Sequence, residues 1–172
     1  GIENTNYLLT TAQGAFILTL YEKRVRPDDL PFFLGLMDHL AAKGVPCPVP
    51  IKGRDGRSLR RLAKRPAVIV TFRDGMWPRK IAADHCAELG EALARLHVAG
   101  ADFPLRRANA LSLKAWRPLL TSCLDHADEV RPGLGRALVA ELDHLEAHWP
   151  TDLPAGVIHA DLFPDNVFFH HG

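Results

Sequence analysis

The segment His159–Asn166 carries the residues of this chain that are best suited to chemistry. It reads His-Ala-Asp-Leu-Phe-Pro-Asp-Asn, an H-x-D-x-x-x-x-N pattern. When a phosphoryl group is transferred to an alcohol, the protein mainly positions the hydroxyl and neutralises the spreading charge. Asp161 could accept the hydroxyl proton, and the amide oxygen of Asn166 could bind a Mg²⁺ ion that bridges phosphates.

The surroundings of this segment favour a catalytic interpretation. Apolar residues precede it at Val157-Ile158 and follow it at Val167–Phe169, which predicts a loop between two strands. Pro164 restricts the backbone of the loop, and His159 would orient the loop by hydrogen bonds without acting as the base. The alternative is a polar turn between two strands, in which Asp and Asn are only turn formers.

Composition and charge narrow the class of protein. The 172 residues are 47% hydrophobic and 24% charged, which is typical of a globular protein and argues against collagen or a coiled coil. The 21 basic and 20 acidic residues leave a net charge of +1, which gives no general attraction to nucleic acid or an anionic membrane. The apolar runs are only as long as strands, so no membrane-spanning helix is predicted.

The cysteines indicate the compartment. There are three, Cys47, Cys86 and Cys123, and no C-x-x-C occurs. An odd number without that spacing argues against a disulfide framework or a thiolate zinc site. Free thiols are typical of a reducing compartment, so a cytoplasmic location is expected.

The first part of the chain mixes strand-like and helical patterns. Two apolar runs, Tyr7–Thr10 and Ala15–Tyr21, flank a turn that ends in Gly14, which predicts an antiparallel hairpin. An amphipathic helix is predicted over Leu30–Lys43. Its apolar stripe consists of Phe33, Leu36, Met37 and Leu40. The continuous apolar run Ala67–Phe72 predicts a strand that is buried on both faces. A turn signal at Arg54–Arg57 separates two further short segments before this strand.

Helical patterns dominate after Arg73-Asp74-Gly75. One helix is predicted from Ile81 to about Gly100, a second from a Ser112 cap to about Val130, and a third over Gly135–His148. The order β-β-α-β-β, followed by helices and then a strand with a polar loop, indicates an α+β protein. Its two parts would join near residue 73.

The motif and four other regions resemble a known superfamily. His159–Asn166 resembles the catalytic loop of the protein-kinase-like small-molecule kinases, which include aminoglycoside phosphotransferases, choline kinases and homoserine kinases. Leu89–His97 resembles the first large-lobe helix of that superfamily. Three amino-terminal segments are similar, more narrowly, to the bacterial homoserine kinases of this fold: Gly1–Tyr7, Phe16–Arg24 and Leu30–Met37.

The resemblance runs over essentially all 172 residues and implies a protein-kinase-like two-lobe fold. Residues 1–73 would form an antiparallel β-rich, nucleotide-binding small lobe, and residues 74–172 the first part of a helical large lobe. The family pattern extends beyond both ends and includes a second magnesium aspartate after the catalytic loop. We therefore expect the chain as given to be truncated at both ends, to bind nucleotide poorly and to be inactive by itself.

The resemblance also implies an activity. The reaction would be ATP- and Mg²⁺-dependent phosphorylation of the hydroxyl of L-homoserine to O-phospho-L-homoserine, a step of threonine biosynthesis. Asp161 would be the catalytic aspartate, Asn166 a magnesium ligand and His159 the residue that orients the loop.

The nucleotide would be held by the amino-terminal part. Gly1–Asn6 would be a phosphate-covering turn between the first two strands, where backbone N–H groups and the side chains of Asn4, Thr5 and Asn6 meet phosphate oxygens. A plain hairpin is the alternative for this turn. The hinge that faces the adenine would consist of Val70, Thr71 and Phe72, continuing to Arg73.

Two residues of the usual kinase pattern are missing. Thr19 stands where kinases have a lysine in the third strand, and Phe33 stands where they have its glutamate partner. The absence of the lysine explains the absence of the glutamate, because a buried glutamate without its lysine would be an unpaired charge. Lys23 and Arg24, just past the strand, are the nearest substitute cations, and the alternative for either one is a solvated charge cluster with Glu22.

Two other functions stay open. One is a kinase of the same fold that acts on another small alcohol, namely choline, ethanolamine or an aminosugar. The other is a non-catalytic nucleotide-binding module, which the missing lysine and glutamate favour and the intact Asp161 and Asn166 oppose. Neither a nucleic-acid nor a membrane partner is expected.

Overall fold

The computed structural model describes residues 4–22 and 25–170. They form two compact units. One comprises the described residues up to Arg106 together with those from Gly156 onward, and the other comprises Arg107–Ala155. The division into two lobes near residue 73 stays a prediction.

A four-stranded antiparallel sheet in the order β1-β2-β4-β3 dominates the first unit. Strands β1 (Asn4–Thr11) and β2 (Gly14–Tyr21) form the predicted hairpin, and Gly14 has a φ of +126° beside the turn. Strand β4 (Arg65–Thr71) lies between β2 and β3 (Arg60–Leu62). The apolar run predicted as a buried strand is therefore an inner strand of the sheet, and the predicted α+β class is confirmed.

Helix α1 (Leu30–Ala42) packs on the sheet through Leu30 and Leu34. These two leucines form one buried cluster with residues of β2 and β4, which are Tyr21, Val68 and Val70. Leu30 is fully buried and Val68 is 1% exposed. Burying each such side chain contributes about 1.5–3 kcal/mol, so this cluster holds α1 in place.

Helix α1 forms with nearly the predicted bounds, but its predicted apolar stripe is only partly confirmed. Leu40 is buried and Met37 packs against the core cluster, whereas Phe33 and Leu36 are half-buried. The physical reason is that α1 has apolar partners on more than one side. The Phe33 ring contacts Phe32, which in turn packs edge-to-face on Phe103 at a centroid distance of 5.4 Å. A helix that is apolar on two sides gives no single stripe.

Helix α2 (Ala83–Gly100) is confirmed with nearly the predicted bounds, and polar contacts connect its end to α1. The Nε2 atom of His39 lies 3.0 Å from both the carbonyl oxygen of Ala99 and Oδ1 of Asp102. Lys43 also pairs with Asp102. Mainly because of the hydrogen bond from Lys43, and also that from His39, the pKa of Asp102 lies below its ordinary value.

The second unit consists of two helices, α3 (Leu113–Val130) and α4 (Leu134–His148), and both predicted helices are confirmed. Arg117 of α3 forms ion pairs with Asp143 and Glu146 of α4. Asp128 accepts hydrogen bonds from the backbone N–H groups at the start of α4.

All three cysteines are free thiols, as predicted. Cys47 is half-buried, and this burial raises its pKa, whereas Cys86 and Cys123 are exposed. None of the helices in residues 4–22 and 25–170 has the length and apolar character needed to cross a membrane.

Candidate active site

A single turn of 3-10 helix, Pro164–Asn166, shapes the predicted catalytic loop. The proline opens this turn, where its fixed φ suits a first helical position. The Asn166 N–H donates to the carbonyl oxygen of Phe163 at 2.9 Å, and the Val167 N–H donates to that of Pro164 at 3.3 Å. The turn brings Asn166 back to Asp161.

Asp161 and Asn166 are in direct contact. The Nδ2 atom of Asn166 donates to the backbone carbonyl oxygen of Asp161 at 2.8 Å and to its Oδ2 at 2.9 Å. Both residues are exposed. Within the described part of the chain, Oδ1 of Asp161 and Oδ1 of Asn166 make no hydrogen bond. One carboxylate oxygen and one amide oxygen of these two contacting residues therefore have no hydrogen-bond partner among the described residues.

His159 contacts the same loop through its ring. The backbone N–H of Asp161 donates to Nδ1 of His159 at 3.3 Å, so Nδ1 is an acceptor and a neutral ring carries its proton on Nε2. Ala160, between these two residues, has a φ of +62°. This left-handed conformation costs a non-glycine residue about 1–2 kcal/mol. The contact agrees with an orienting role for His159.

Neither of the two strands predicted beside the loop forms. The segment after the loop makes one isolated β-bridge, and the segment before it makes none. Val157 and Ile158 lie in no strand, because no described backbone pairs with them. After the loop, the Phe169 N–H donates to the Met76 carbonyl oxygen at 2.9 Å, and the Met76 N–H donates back at 3.0 Å. This bridge ties the loop to the segment that follows β4.

Gly75 adjoins this bridge and has a φ of +142°. A Cβ atom at this position would lie 3.1 Å from both Cβ of Phe168 and the carbonyl oxygen of Phe169. The close approach of the two segments therefore depends on the absence of a side chain at Gly75.

An apolar cavity of about 100 Å³ lies between the loop and the start of α2. Cys86 and Leu89 line it from the helix, as do Leu162 and Val167 from the loop. The ring of His85 also packs on that of Phe169, at a centroid distance of 4.9 Å. Two residues of α2, Cys86 and Leu89, thus face the loop.

The predicted phosphate-covering turn is wrong for Asn4–Asn6, since these residues form the first part of β1. Their partners in β2 are Tyr21, Leu20 and Thr19, respectively. Asn and Thr favour turns, but here the long apolar strand β2 supplies backbone partners along the whole segment. Gly1 and Lys23, which were also predicted to contact the nucleotide, lie outside the described residues.

The strand pleat separates the three polar residues of this segment, because successive side chains of a strand point to opposite faces. Asn4 and Asn6 share one face, and Thr5 lies on the other. The Thr5 hydroxyl donates to Oε1 of Glu22 at 3.0 Å, and Arg65 also binds Glu22. Thr5 is therefore engaged away from the two asparagines.

The two asparagines have different partners. Oδ1 of Asn6 accepts a hydrogen bond from the Thr19 hydroxyl at 2.8 Å. Oδ1 of Asn4 is buried and has no hydrogen-bond partner among the described residues. The sequence patterns did not predict the hydrogen bond between Asn6 and Thr19. Counting back from the turn at Gly14 would have revealed it, since Thr11 pairs with Gly14 and the register then places Asn6 opposite Thr19.

The predicted hinge residues use part of their backbone within the protein. The Thr71 N–H donates to the Val49 carbonyl oxygen at 2.9 Å, and the Phe72 N–H donates to that of Ala15 at 3.3 Å. The side chain of Val70 belongs to the core cluster. An adenine ring bound at this edge would therefore have to form its hydrogen bonds with carbonyl groups, or with N–H groups beyond Phe72.

The carboxylate oxygen of Asp161 and the amide oxygen of Asn166 are of the type that binds Mg²⁺. Mg²⁺ prefers carboxylate and amide oxygens, and it keeps several waters when the protein supplies only one or two ligands. Residues 4–22 and 25–170 contain no group of three or more side chains placed to hold a metal. Asn166 and Asp161 together offer two side-chain oxygens of this type.

Comparison with known proteins agrees with these features. All residues 1–172 match the family described as the phosphotransferase enzyme family. Proteins named homoserine kinase are 64% identical in Paramagnetospirillum magneticum, over 169 residues, and 63% identical in Rhodospirillum rubrum, over 169 residues. Each of these alignments covers 98% of this chain, and 52% and 53% of the relatives. The chain thus spans about half the length of the curated relatives it matches.

Solved structures support the fold. A crystal structure of a spectinomycin phosphotransferase in complex with ADP and spectinomycin superposes with a TM-score of 0.71 and 14% identity, covering 98% of this chain and 57% of that one. An aminoglycoside phosphotransferase from Alicyclobacillus acidocaldarius gives a TM-score of 0.53 at 14% identity, covering 84% and 50%. At this identity the likeness concerns the fold alone, and the predicted kinase-like fold is confirmed.

Proposed function

Because this chain belongs to the phosphotransferase enzyme family, we propose that its full-length gene product transfers the γ-phosphoryl group of ATP to the hydroxyl of L-homoserine. The observation that carries the chemistry is the contact between Asn166 and Asp161, in which Oδ1 of each residue has no hydrogen-bond partner among the described residues. Phosphoryl transfer needs a group that accepts the hydroxyl proton and a group that helps hold a divalent cation.

The substrate is proposed from the relatives. Several proteins of 61–64% identity to this chain are named homoserine kinase. The product would be O-phospho-L-homoserine, a precursor of threonine, and the reaction would take place in the cytoplasm. The three free thiols suit that compartment.

Each loop residue has one proposed role. The Asp161 carboxylate accepts the proton as the homoserine oxygen bonds to the γ-phosphorus and the bond to the leaving ADP oxygen breaks. Asn166 is a magnesium ligand through Oδ1, and bound Mg²⁺ would neutralise the phosphate charge. His159 orients the loop through its contact with the Asp161 N–H.

The nucleotide-binding residues are proposed from the first part of the chain. The backbone of Val70, Thr71 and Phe72 would face the adenine, mainly through carbonyl groups. Asn4 and Asn6 would lie near the phosphates together with Gly1, and Lys23 would add a modest contribution. Thr5 fits this role less well, because its hydroxyl already binds Glu22.

The test is a substrate comparison on the full-length gene product with Mg²⁺ and ATP. Homoserine, choline, ethanolamine and an aminosugar are compared by ADP release and by ³¹P NMR of the product. We expect kcat/KM for homoserine to exceed the other values at least a hundredfold. Preference for another alcohol would replace homoserine by that substrate. ATP binding without turnover of any alcohol would favour the nucleotide-binding module.

Two variants accompany this comparison. Asp161→Asn should lower kcat by about 10²–10⁴-fold, the usual contribution of a general base, while the Kd for ATP stays within about twofold. An Asp161→Asn enzyme with normal kcat would reject the role of Asp161. Lys23→Ala should raise the ATP KM modestly, and an unchanged KM would remove Lys23 from the site.

A further inference from the structure

A polar pair lies across the β1–β2 hairpin at Asn6 and Thr19. The two residues are direct partners in the strand register, and the Thr19 hydroxyl donates to Oδ1 of Asn6 at 2.8 Å. Asn6 is exposed, whereas Thr19 is half-buried. A hydroxyl that holds the oxygen of a carboxamide also fixes the direction of its nitrogen.

The nitrogen of that carboxamide has no partner among the described residues. Nδ2 of Asn6 carries two N–H donors, and neither donates to an atom of residues 4–22 and 25–170. Because Asn6 is exposed, these donors can meet a ligand without first being released from another contact. Donors held in one orientation suit an anionic oxygen, which accepts stronger hydrogen bonds than a neutral one.

The hairpin offers no charged alternative. Strands β1 and β2 contain neither lysine nor arginine, and neither aspartate nor glutamate. Strand alternation places Asn6 and Thr19 on the same face as Ile17 and Tyr21. Those two residues pack with α1, so the pair lies on the α1 side of the sheet. Arg65 binds Glu22, which alternation places on the opposite face with Thr5.

We infer that Thr19 is a positioning residue for the nucleotide: its hydroxyl holds the Asn6 carboxamide so that the N–H donors meet an oxygen of the ATP phosphates. The inference rests on the proposed function, because that function supplies the phosphate. Two neutral donors then act where the kinase pattern has a lysine ammonium. The phosphate charge is left to other groups of the complete enzyme.

The first experiment changes Thr19 in the full-length gene product. Thr19→Val removes the hydroxyl and keeps the β-branched shape, and Thr19→Ser keeps the hydroxyl. The Kd values of Mg·ATP, Mg·ADP and adenosine are measured by calorimetry, and the KM of homoserine by turnover. We expect Thr19→Val to weaken Mg·ATP and Mg·ADP about three- to tenfold, the effect of one lost hydrogen bond. Adenosine binding and the homoserine KM should not change, and Thr19→Ser should bind like the wild type.

Thr10→Val is the matched control. Thr10 lies on the same face of β1, opposite Ala15, and its hydroxyl makes no hydrogen bond in the described part of the chain. This variant makes the same chemical change in the same hairpin. It should leave all three nucleotide affinities as they are. An equal loss in Thr10→Val and Thr19→Val would mean that the hairpin, not the Asn6 contact, is responsible, and would overturn the inference.

A double-mutant cycle tests whether Thr19 acts through Asn6. Asn6→Ala should weaken Mg·ADP at least as much as Thr19→Val does, and adding Thr19→Val to Asn6→Ala should cause less than a further twofold loss. Additive losses, unchanged Mg·ADP binding in either single variant, or an equal loss of adenosine binding would each overturn the inference.

The proposed function can fail separately. If the wild type binds Mg·ADP but phosphorylates none of the alcohols, homoserine kinase activity is rejected, while the binding series still decides the role of Thr19. If the wild type phosphorylates homoserine and Thr19→Val has normal nucleotide affinities, only the role of Thr19 is rejected. If the wild type binds no nucleotide, both proposals are rejected.

Discussion

The side-chain nitrogen of Asn166 binds Asp161 at two places, the backbone carbonyl oxygen at 2.8 Å and the carboxylate Oδ2 at 2.9 Å. The first bond fixes the loop backbone, and the second fixes the direction of the carboxylate. Because both bonds use the nitrogen, the amide oxygen of Asn166 keeps no hydrogen-bond partner within residues 4–22 and 25–170. A single asparagine can thus orient the proposed base and still offer a ligand oxygen to a cation.

Asn166→Asp tests this dual use, since it removes both N–H donors but keeps the side-chain shape. The variant loses both hydrogen bonds that hold Asp161 and gains a negative charge beside it, so we expect kcat to fall about a hundredfold. Steady-state kinetics of the full-length gene product check this. Asp165→Asn, a change in the same turn, should keep kcat within about twofold, and a normal kcat in Asn166→Asp would contradict the expectation.

The left-handed conformation of Ala160, with φ of +62°, gives a second prediction. Ala160→Val places a β-branched side chain in a conformation that such residues rarely adopt. It should destabilise the protein by about 1–3 kcal/mol and lower kcat, because the loop must distort. Ala160→Gly should keep kcat within about twofold, since glycine adopts this conformation freely. Thermal unfolding and steady-state kinetics measure both effects. Equal behaviour of the two variants would show that the loop does not require this φ.

Gly75 and Gly90 form a matched pair for a third prediction. Gly75→Ala combines a positive φ with a Cβ only 3.1 Å from Phe168 and Phe169, so the bridge to Met76 should weaken. We expect a loss of about 1–3 kcal/mol in the free energy of unfolding, together with a lower kcat. Gly90→Ala, in open space within α2, should gain up to about 1 kcal/mol from helix propensity. A chemical denaturation curve of each variant measures these changes. A stabilised Gly75→Ala protein would contradict the prediction.

The fourth prediction concerns Asp128 and pH. The N–H groups of Gly135 and, to a lesser extent, Gly133 hold the pKa of this carboxyl below its ordinary value. A lowered folded-state pKa stabilises the protein above the unfolded value of about 3.9, and this contribution disappears as the pH falls through the folded value. The Tm difference between wild type and Asp128→Asn should therefore be full at pH 6 and shrink below about pH 4.

Asp125→Asn is the control for this series. Asp125 lies one turn earlier on α3 and makes no hydrogen bond in residues 4–22 and 25–170. The Tm of the Asp125→Asn protein should equal that of the wild type at every pH. A Tm difference for Asp128→Asn that grows towards low pH would contradict the assigned direction of the pKa shift.

The sequence predicts the helices after residue 80 well, because their caps and spacing are local signals. Ser112 precedes α3 and Pro150 follows the end of α4, close to the predicted limits. The stripe of α1 could not be selected in the same way. Its burial depends on which of several apolar sides meets the sheet, and that is decided by Tyr21, Val68 and Val70, which lie elsewhere in the sequence.

The residues of the candidate site differ in the same way: a pair within one segment can be selected from local sequence, whereas contacts between distant segments cannot. The contact between Asp161 and Asn166 lies within one loop, so the local pattern was enough to select both residues, although it did not predict their hydrogen bonds. The positions of Asn4 and Asn6 depend on pairing with a strand across a turn, so their residue types alone suggested a turn that does not form. The separation of Thr5 from its two neighbours follows from the pleat, which only a strand assignment reveals.

The alternation along β1 has a consequence for how this protein can change length during evolution. A single-residue insertion between Asn6 and the turn at Ala12-Gln13 would rotate Asn6 to the face that now carries Thr5. The same insertion within Ala12-Gln13 would lengthen the connection and leave every strand pair in register. Natural variants of this hairpin should therefore differ in length at its tip and keep a constant spacing between Asn6 and Thr11.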